Sequence, residues 1–454
     1  MSREMSRALI EKYGEARLPR YTSYPTAPRF APGIGAGTYG DWLAAVPARE
    51  AVSLYLHIPF CRSMCWYCGC HTSITQKDQP ILDYLDVLKR EIRLVSKAAG
   101  RPLKVGQVHF GGGTPTIMTP EEFLNLSAFL HQMFDVVPNA GIAVEIDPRT
   151  LTRSMIGALG QSGVTRASLG VQSFDPVVQK AINRVQTAEQ TRDATEGLRA
   201  AGIDSVNFDL IYGLPHQTVA SCVATARTAI AMRPDRFAVF GYAHIPSFKK
   251  HQRLIDEKAL PDAAERHAQA EAIAETLSVA GYRRIGLDHF ALPDDDLARA
   301  ADNGTLHRNF QGYTTDPCQT LIGLGASAIG RTVDGYIQNE VAIGQYAQRI
   351  ASGQLATARG YRLTPEDRLR AQVIERLMCD FRVDLASLCA VHGFDPEQLL
   401  SGNTLFRRLI EDGITEVQDG VVTVRRDCRF IIRAVAASFD AYLEQTTRTH
   451  AKAA

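Results

Sequence analysis

The chain alternates between short apolar stretches and longer segments in which apolar residues recur every three or four positions. The short stretches are rich in β-branched and aromatic residues and end at Gly, Pro or a polar group, which is typical of buried strands. The longer segments, such as residues 84–98 and 187–202, have helical periodicity. The predicted strands cover residues 52–59, 105–112, 141–148, 166–173, 205–215 and 236–246, with a further strand at 283–292.

Strict alternation of strand and helix predicts parallel strands joined by right-handed crossovers, and therefore an α/β fold. Six or seven such units favour a complete or partial TIM-like (β/α)6-type barrel over a single Rossmann half. In barrels the reactive groups gather at the carboxyl ends of the strands. The predicted strand ends carry HIPFC, FGGGTP, VEIDP, GVQSF, DLIYGLP and YAHIP. A purely structural barrel would not need Glu, Gln and Asp there, so we expect an active face at this edge.

Two flanking regions depart from the alternation. Residues 1–45 contain scattered Pro and Gly, and the stretch RYTSYPTAPRF within them predicts an extended arm that lies over another part of the protein. Residues 46–345 are predicted to form the barrel and its extension. Residues 346–454 predict a mostly helical domain with a β-hairpin whose turn is Asp419-Gly420. This last pattern resembles a winged helix, but the charge balance favours a cap or docking domain.

Composition restricts the classes of function. The 454 residues are 45% hydrophobic and 22% charged, with a formal net charge of +1, as in a globular protein with a sizeable core. A nucleic-acid partner is not expected, because the sequence has no basic excess or basic stripe. The charged N-terminus lacks the apolar core of a signal peptide, and no apolar run reaches the ~18–20 residues of a membrane span. We therefore expect a cytoplasmic protein with reduced thiols.

The segment CRSMCWYCGC at residues 61–70 holds four of the nine cysteines. Such crowding suits a disulfide, a zinc site, a redox pair or an iron–sulfur cluster. The reducing compartment and the short spacing of Cys68 and Cys70 argue against a disulfide, and the chain offers no second ligand pair for a structural zinc site. The C-x3-C-x2-C spacing of Cys61, Cys65 and Cys68 favours a [4Fe–4S] cluster with one open iron. Cys70 is then left over.

This cysteine spacing, at the end of the first predicted strand, resembles that of radical S-adenosylmethionine (SAM) enzymes. The stretches RYTSYPT, LYLHIPFCRSMCWYCGC, GGGTPT, VEIDPR, GVQSF, FDLIYGLP, GYAHIP, RNFQGY and LIGLGASAI together resemble the oxygen-independent coproporphyrinogen III oxidase family. The resemblance runs from about residue 20 through the C-terminal domain. It implies a [4Fe–4S] cluster whose open iron binds SAM, and reductive cleavage of SAM to methionine and a 5′-deoxyadenosyl radical.

The resemblance also implies roles for individual residues. Cys61, Cys65 and Cys68 would ligate the cluster. Tyr55 would contact the cofactor near the cluster, and Tyr67 would lie against adenine. The further contacts implied for this first SAM are Gly112, Gly113, Thr114, Glu145, Gln172, Arg184 and Asp209. The family binds two SAM molecules, and the contacts implied for the second are Ala243, Gln311 and Ile329.

The implied reaction converts two propionates of coproporphyrinogen III to vinyl groups, which gives protoporphyrinogen IX in haem biosynthesis. We expect a monomer and an electron donor such as flavodoxin or ferredoxin. Arg20, Arg29 and Arg308 are candidate partners for the propionates, because guanidinium groups bind carboxylates. Three alternatives stay open: a haem chaperone of the same superfamily, a radical SAM enzyme that opens or methylates haem, and a zinc-stabilised scaffold. Such chaperones typically lack the cysteine at the position of Cys70 and the arm, which favours the enzyme.

Overall fold

The computed structural model describes residues 8–9, 12–13 and 18–443. The remainder of the predicted arm (residues 1–7, 10–11 and 14–17) and of the predicted C-terminal domain (residues 444–454) lies outside the described residues. The strands are β1 (Ala51–Ile58), β2 (Phe60–Cys61), β3 (Ser73–Ile74), β4 (Lys104–Gly112), β5 (Asp135–Ile146), β6 (Arg166–Gln172), β7 (Ser205–Tyr212), β8 (Arg236–Gly241), β9 (Arg283–Ile285), β10 (His289–Ala291), β11 (His307–Asn309), β12 (Gly312–Thr314), β13 (Leu321–Leu324), β14 (Ile329–Thr332), β15 (Gly335–Asn339), β16 (Thr357–Arg362), β17 (Arg382–Asp384), β18 (Thr415–Gln418) and β19 (Val421–Val424).

The α-helices are α1 (Ala36–Ala45), α2 (Gln79–Ala99), α3 (Pro120–Met133), α4 (Arg153–Gln161), α5 (Pro176–Ala181), α6 (Ala188–Ala200), α7 (Val219–Ile230), α8 (Ala263–Val279), α9 (Asp296–Asp302), α10 (Ile343–Ala351), α11 (Pro365–Asp380), α12 (Leu385–His392), α13 (Pro396–Leu400), α14 (Thr404–Glu411) and α15 (Ile432–Ala437). Short 3-10 helices cover Ala27–Arg29, Pro115–Ile117, Lys250–Leu254, Glu257–Ala259 and Arg426–Ile431.

Twelve strands form one open sheet in the order β16-β15-β14-β13-β1-β4-β5-β6-β7-β8-β10-β9. The seven strands from β13 to β8 run parallel, and antiparallel strands flank them on both sides. Helices α2 to α7 lie between successive parallel strands along the chain, as right-handed crossovers require. The predicted α/β partial barrel is therefore confirmed.

Parallel pairing brings the carboxyl ends of the strands to one edge of the sheet. Tyr55 of β1 lies opposite His109 of β4, and Gly170 of β6 lies opposite Asp209 of β7. The strand interiors contribute Val, Leu, Ile and Phe side chains to one large core, as expected for a parallel sheet covered by helices. The polar groups of the strands are concentrated where the strands end, which is the edge that carries the candidate site.

The expected strand at residues 283–292 is an antiparallel hairpin made of β9 and β10. Gly286 turns the chain between them with a φ of +57°. A Cβ at this glycine would overlap the ring of Tyr313, so a side chain has no room at the turn. The periodicity of this stretch is compatible with one strand or with two. The turn at Gly286 divides it into two.

Two further features differ from the expected organisation. The predicted arm contains α1, whose glycines disfavour a helix but whose Tyr39, Trp42 and Leu43 are buried in the core. At the other end, the expected domain boundary at residue 346 lies within α10, and the large sheet continues to β16. The division of the chain at residues 45 and 346 stays a prediction.

The C-terminal part has an apolar core of its own, built mainly from α11 to α15 and a small sheet of β17, β19 and β18. The predicted hairpin is β18–β19, and its turn residues Asp419 and Gly420 have φ values of +53° and +76°, as a type I′ turn requires. Leu18, Tyr21 and Tyr24 of the arm pack into this core, so the arm does lie over another part of the protein. In the described part of the chain, no helix is long and apolar enough to cross a membrane.

Candidate active site

A cavity of about 610 Å³ lies at the carboxyl edge of the parallel strands and is called the first cavity below. The cysteine loop, defined as residues 61–70, forms one side of it, and the ends of β4 to β8 form the others. Twelve predicted site residues line this cavity: Cys61, Cys65, Tyr67, Cys68, Gly112, Gly113, Thr114, Glu145, Gln172, Arg184, Asp209 and Ala243. The sheet thus brings together residues that lie far apart in the sequence.

The cysteine loop is fixed at its base and along its backbone. Strand β2 pairs in parallel with β3, which closes the loop. Four loop carbonyls accept hydrogen bonds from side chains of two other segments: Met64 from Asn183 (2.8 Å), Tyr67 from Gln252 (3.0 Å), Cys68 from His251 (2.7 Å) and Cys70 from Lys249 (2.9 Å). The folded chain therefore positions the thiols from both sides of the loop.

Polar neighbours contact two of the three predicted cluster thiols. The Sγ of Cys61 lies 3.2 Å from the hydroxyl of Thr114. The Sγ of Cys65 accepts hydrogen bonds from the guanidinium groups of Arg149 and Arg184, both at 3.5 Å. Hydrogen bonds to the sulfurs are one of the means by which a protein sets the reduction potential of an iron–sulfur cluster.

The fourth cysteine of the loop contacts the third. A hydrogen bond from Cys70 lowers the pKa of the Cys68 thiol to about 6, and the nearby His251 and Lys249 act in the same direction. Burial, in contrast, raises the pKa of Cys61. Cys68 is therefore more readily deprotonated than Cys61, and Cys70 is its hydrogen-bond donor.

The donor set fits an iron–sulfur cluster better than a single metal ion. Three thiols of one loop line the same cavity, and cysteine thiolates are the usual ligands of such clusters. A zinc ion needs its donors within about 2.0–2.3 Å of one point. Among residues 8–9, 12–13 and 18–443, no three His, Cys, Asp or Glu side chains are grouped to hold such an ion.

Two carboxyl groups in the first cavity have opposite pKa shifts. Burial would raise the pKa of Glu145, but hydrogen bonds from His109 (3.1 Å) and from the backbone N–H of Gly112 (3.1 Å) lower it below the usual range. Burial, with the charge of Glu145 adding to it, raises the pKa of Asp209 to about 7. Glu145 thus stays ionised at neutral pH, whereas Asp209 is only about half ionised there, and a neighbouring positive charge would favour its ionised form.

Asp147 and Arg149 are site residues that the sequence reasoning did not single out. The carboxylate of Asp147 pairs with Arg149 at 2.6 Å and with Arg184 at 3.2 Å, and all three side chains are largely buried. Both arginines also reach the Sγ of Cys65, so this ion-pair network lies directly beside the cysteine loop. The signal was present in VEIDPR, in which an acid and a base immediately follow a buried strand.

At two strand ends the backbone has an unusual conformation or packs closely against other atoms. At the end of β4, Gly112 has a φ of +110°, and a Cβ at Gly113 would lie 2.5 Å from the carbonyl oxygen of Phe60. At the end of β6, Gln172 is buried and has a φ of +65°, beside a shift in the register with β7. A left-handed non-glycine residue is strained, and such residues occur often at functional sites.

Three predicted contacts lie elsewhere. Tyr55 is on β1, where its hydroxyl lies 3.0 Å from the Nδ1 of His57. Gln311 is in the turn between β11 and β12, and Ile329 begins β14. None of these three is among the described residues that line the first cavity, so their assigned contacts stay predictions.

Comparisons with known proteins agree with this site. Residues 55–229 match the family model described as the Radical SAM superfamily. The chain is 58% identical over 445 residues to the oxygen-independent coproporphyrinogen III oxidase of Bradyrhizobium diazoefficiens, covering 98% of this chain and 99% of the relative. It is 41% identical to the protein of the same name from Pseudomonas aeruginosa, with 97% and 96% covered.

A solved structure is similar over nearly the whole fold. The coproporphyrinogen III oxidase of Escherichia coli, described as a radical SAM enzyme, superimposes with a TM-score of 0.90 at 36% identity, covering 96% of this chain and 99% of that one. Sequence identity and structural similarity thus extend through the barrel and the C-terminal part alike. The chain therefore belongs to the oxygen-independent coproporphyrinogen III oxidase family of radical SAM enzymes.

Proposed function

We propose that this chain converts coproporphyrinogen III to protoporphyrinogen IX without molecular oxygen. In each of two propionate side chains, a hydrogen atom leaves the β-carbon, CO2 leaves the carboxyl group and one electron passes to an acceptor, which leaves a vinyl group. The observation that carries the proposal is a pair of adjoining cavities. One is lined by the three-thiol loop and the strand ends, and the other by arginines and aromatic rings.

The first cavity is the place for the cluster and for SAM. Cys61, Cys65 and Cys68 would hold a [4Fe–4S] cluster, which with bound SAM supplies a 5′-deoxyadenosyl radical. Tyr67, on the same loop, is partly buried against an apolar cluster that includes Val178, Ile182 and Tyr242. It therefore offers a fixed ring face to a flat base and restricts the access of water.

The strand ends supply polar contacts of both signs. Ionised Glu145 accepts hydrogen bonds and suits the hydroxyl or ammonium groups of SAM. Asp209, whose pKa is raised by burial to about 7, favours a neighbouring cation such as the sulfonium. Arg184 is held by Asp147, and its buried Nε has no hydrogen-bond partner among the described residues. This Nε is the donor that we assign to the SAM carboxylate.

At the glycines and at Gln172, we assign the contacts with SAM to the backbone. Gly112 and Gly113 line the first cavity, so their peptide groups, with the hydroxyl of Thr114, can contact the methionine part of SAM. Gln172 has a left-handed conformation at the end of β6. We assign this strand end to the adenine and ribose part of SAM. These assignments follow from the family pattern and the lining of the cavity.

A second cavity of about 500 Å³ adjoins the first and is the place that we assign to the substrate. Phe240, Tyr242 and Ala243 belong to both cavities, so the two share a wall. Apolar and aromatic surface with a few charged groups is the lining that suits an apolar macrocycle with carboxylates. Ala243 is the predicted contact of a second SAM, and its place in the shared wall is compatible with that role.

The candidate propionate partners separate in the structure. Arg20 and Arg308 line the second cavity. Arg29 instead lies over the ring of Tyr442 at 4.6 Å, in the C-terminal part. We therefore retain the first two as substrate contacts and assign Arg29 to the packing of the arm.

The setting of the reaction is proposed on chemical grounds. Cluster assembly requires that Cys61, Cys65 and Cys68 remain reduced, which suits the cytoplasm. The reaction needs a one-electron donor of low potential, for which flavodoxin or ferredoxin is our proposal, and we propose that the enzyme acts as a monomer.

The test is an anaerobic incubation of reconstituted protein with SAM, dithionite and coproporphyrinogen III, followed by chromatography. We expect protoporphyrinogen IX, methionine and 5′-deoxyadenosine to form together, and no product with the Cys65→Ser variant. Formation of 5′-deoxyadenosine without vinyl products would indicate a different radical reaction. Binding of haem without consumption of SAM would indicate the chaperone.

A further inference from the structure

The second cavity contains a carboxyl group to which the proposed function gives no role. Three acidic residues line this cavity: Asp262, Glu271 and Asp288. Asp262 is exposed and accepts a hydrogen bond from the N–H of Glu265 at the start of α8 (2.8 Å). Glu271 is also exposed and pairs with Arg284 at 3.1 Å. Asp288 differs from both, because its side chain is only 16% exposed.

The neighbours of Asp288 fix its position. Its backbone carbonyl accepts a hydrogen bond from the N–H of Val239 on β8 at 2.7 Å. Its Oδ1 accepts a hydrogen bond from the Nδ1 of His289 at 2.8 Å, and the guanidinium of Arg308 lies 3.9 Å from the same oxygen. No described residue donates a hydrogen bond to Oδ2. One carboxylate oxygen is thus held by the protein, and the other has acceptor capacity for a ligand.

The side chain of Asp288 is ionised at neutral pH. Burial would raise its pKa, but the hydrogen bond from His289 and the positive charges of Arg308 and Arg20 lower it to about 2. An ionised carboxylate accepts hydrogen bonds and cannot donate them. Because a charge that is taken out of water needs hydrogen-bond partners, a ligand that fills this cavity should present donors to Asp288.

The propionates of coproporphyrinogen III cannot be these donors. They are ionised acceptors at neutral pH, and their charge has the same sign as that of Asp288. Guanidinium groups are their natural partners, and five arginines line the cavity: Arg20, Arg266, Arg284, Arg308 and Arg433. The donors that the macrocycle itself offers are its four pyrrole N–H groups.

The reduced macrocycle can bring these N–H groups to one carboxylate. In a porphyrinogen, saturated carbons join the pyrrole rings, so the rings tilt and their N–H groups can point to one face. The oxidised porphyrin is flat and keeps its two N–H groups within the plane of the ring, where an acceptor above the face cannot reach them. Phe240 and Phe290 line the same cavity and offer apolar surface to the pyrrole rings.

We propose that Oδ2 of Asp288 accepts hydrogen bonds from the pyrrole N–H groups of the porphyrinogen and so selects the reduced macrocycle over the oxidised porphyrin. This inference rests on the proposed function and adds a specificity-determining residue to it. Coproporphyrin III carries the same propionates as the substrate, so contacts with propionates alone cannot separate the two. His289 and Arg308 act through Asp288, which they keep ionised and oriented.

The test compares the binding of coproporphyrinogen III with that of coproporphyrin III. Reconstituted protein is incubated anaerobically without SAM, so that no turnover occurs. Free ligand is separated by ultrafiltration and quantified by fluorescence after oxidation. We expect Asp288→Ala to weaken the binding of coproporphyrinogen III by about ten- to a hundredfold, as loss of a charged hydrogen bond predicts. The affinity for coproporphyrin III should change by less than about threefold.

Three further variants separate recognition from folding. Asp288→Asn keeps the size of the side chain without its charge and should also bind coproporphyrinogen III more weakly than wild type. Asp288→Glu keeps the carboxylate and should recover part of the preference for the reduced ligand. Asp294→Ala removes an exposed carboxylate six residues later and should leave both affinities unchanged. Circular dichroism and iron content show whether each variant folds and holds the cluster.

The outcomes are distinguishable. Equal weakening of both ligands in Asp288→Ala and Asp288→Asn would mean that Asp288 acts only by holding Arg308, and it would overturn the inference. An unchanged affinity for coproporphyrinogen III in these variants would also overturn it, and the proposed function would stand if wild type forms product. Wild type that neither binds coproporphyrinogen III nor forms product would overturn both.

Discussion

Glu91 connects helix α2 to the loop that follows β13, and its removal should be costly. It is 2% exposed. Its carboxylate accepts hydrogen bonds from the backbone N–H of Gly325 (2.6 Å), the amide of Asn339 (2.6 Å) and the hydroxyl of Tyr346 (2.7 Å). These contacts give a physical reason for the LIGLGASAI stretch, because the buried carboxylate orders the loop within it.

Replacing Glu91 by Ala leaves three buried donors without an acceptor. At about 1–3 kcal/mol for each donor, the free energy of unfolding should fall by roughly 3–9 kcal/mol, and the cavity left by the side chain adds to this loss. The assay is urea unfolding followed by circular dichroism. Asp86→Ala, on an exposed position of the same helix, is the control and should unfold near the wild-type midpoint. A midpoint for Glu91→Ala equal to that of Asp86→Ala would refute this reasoning.

The pH dependence gives a sharper test of the same site. Burial raises the pKa of Glu91 from 4.5 to about 7, so between these values the folded protein binds a proton that the unfolded chain has released. The stability contributed by this group is therefore present at low pH and is lost as the pH rises. The loss amounts to about 2 kcal/mol between pH 5.5 and pH 8. Glu91→Gln cannot ionise, so its destabilisation relative to wild type should shrink by this amount over that interval. A difference that stays constant would contradict the raised pKa.

Three further predictions concern the first cavity. Serine at position 61, 65 or 68 should abolish the cluster, whereas Cys70→Ser should retain it. The measurement is iron content and visible absorbance after reconstitution. Equal iron contents in all four variants would contradict the ligand assignment. Asp147→Asn should cost about 3–5 kcal/mol in urea unfolding, because it leaves Arg149 and Arg184 buried without their carboxylate, while Asp302→Asn at an exposed pair serves as a control that should unfold like wild type. Gly113→Ala should lower the free energy of unfolding by about 1–3 kcal/mol, because its Cβ would meet the backbone of Phe60 at 2.5 Å. The shift of the backbone should also weaken SAM binding. Unchanged SAM affinity in calorimetry would show that the backbone at Gly113 does not contact SAM.

The central strands could be predicted because each is a short, strongly apolar run that ends in a distinctive motif. The strands β13 to β16 could not be predicted, because no local pattern indicates that the chain returns to pair with β1 at the far edge of the sheet. The same limit applies to α1. Its intrinsic propensity is poor, and its stability comes from burying Tyr39, Trp42 and Leu43 against residues distant in sequence.

For the site, sequence analysis singled out candidate residues that follow strand ends. It missed residues whose contribution comes through a contact with another side chain or with the backbone. Asp147 was not separable from an ordinary turn residue until the structure placed it between Arg149 and Arg184. His251 and Gln252 lie in a 3-10 helix about 180 positions after the cysteine loop, and only the fold brings their side chains to its carbonyls. Sequence analysis also missed Arg433, because nothing near it in the sequence indicates a contact with the arm.

The two cavities share a feature that links folding to ligand binding. In each cavity one buried guanidinium group keeps an N–H without a hydrogen-bond partner among the described residues: the Nε of Arg184 in the first and the Nη1 of Arg308 in the second. Such a group costs about 1–3 kcal/mol in the ligand-free fold. A ligand carboxylate that accepts from it recovers this cost on binding. Under the proposed assignments, ligand recognition in both cavities would draw on a polar group that has no hydrogen-bond partner among the described residues, and both ligands should raise the stability of the fold.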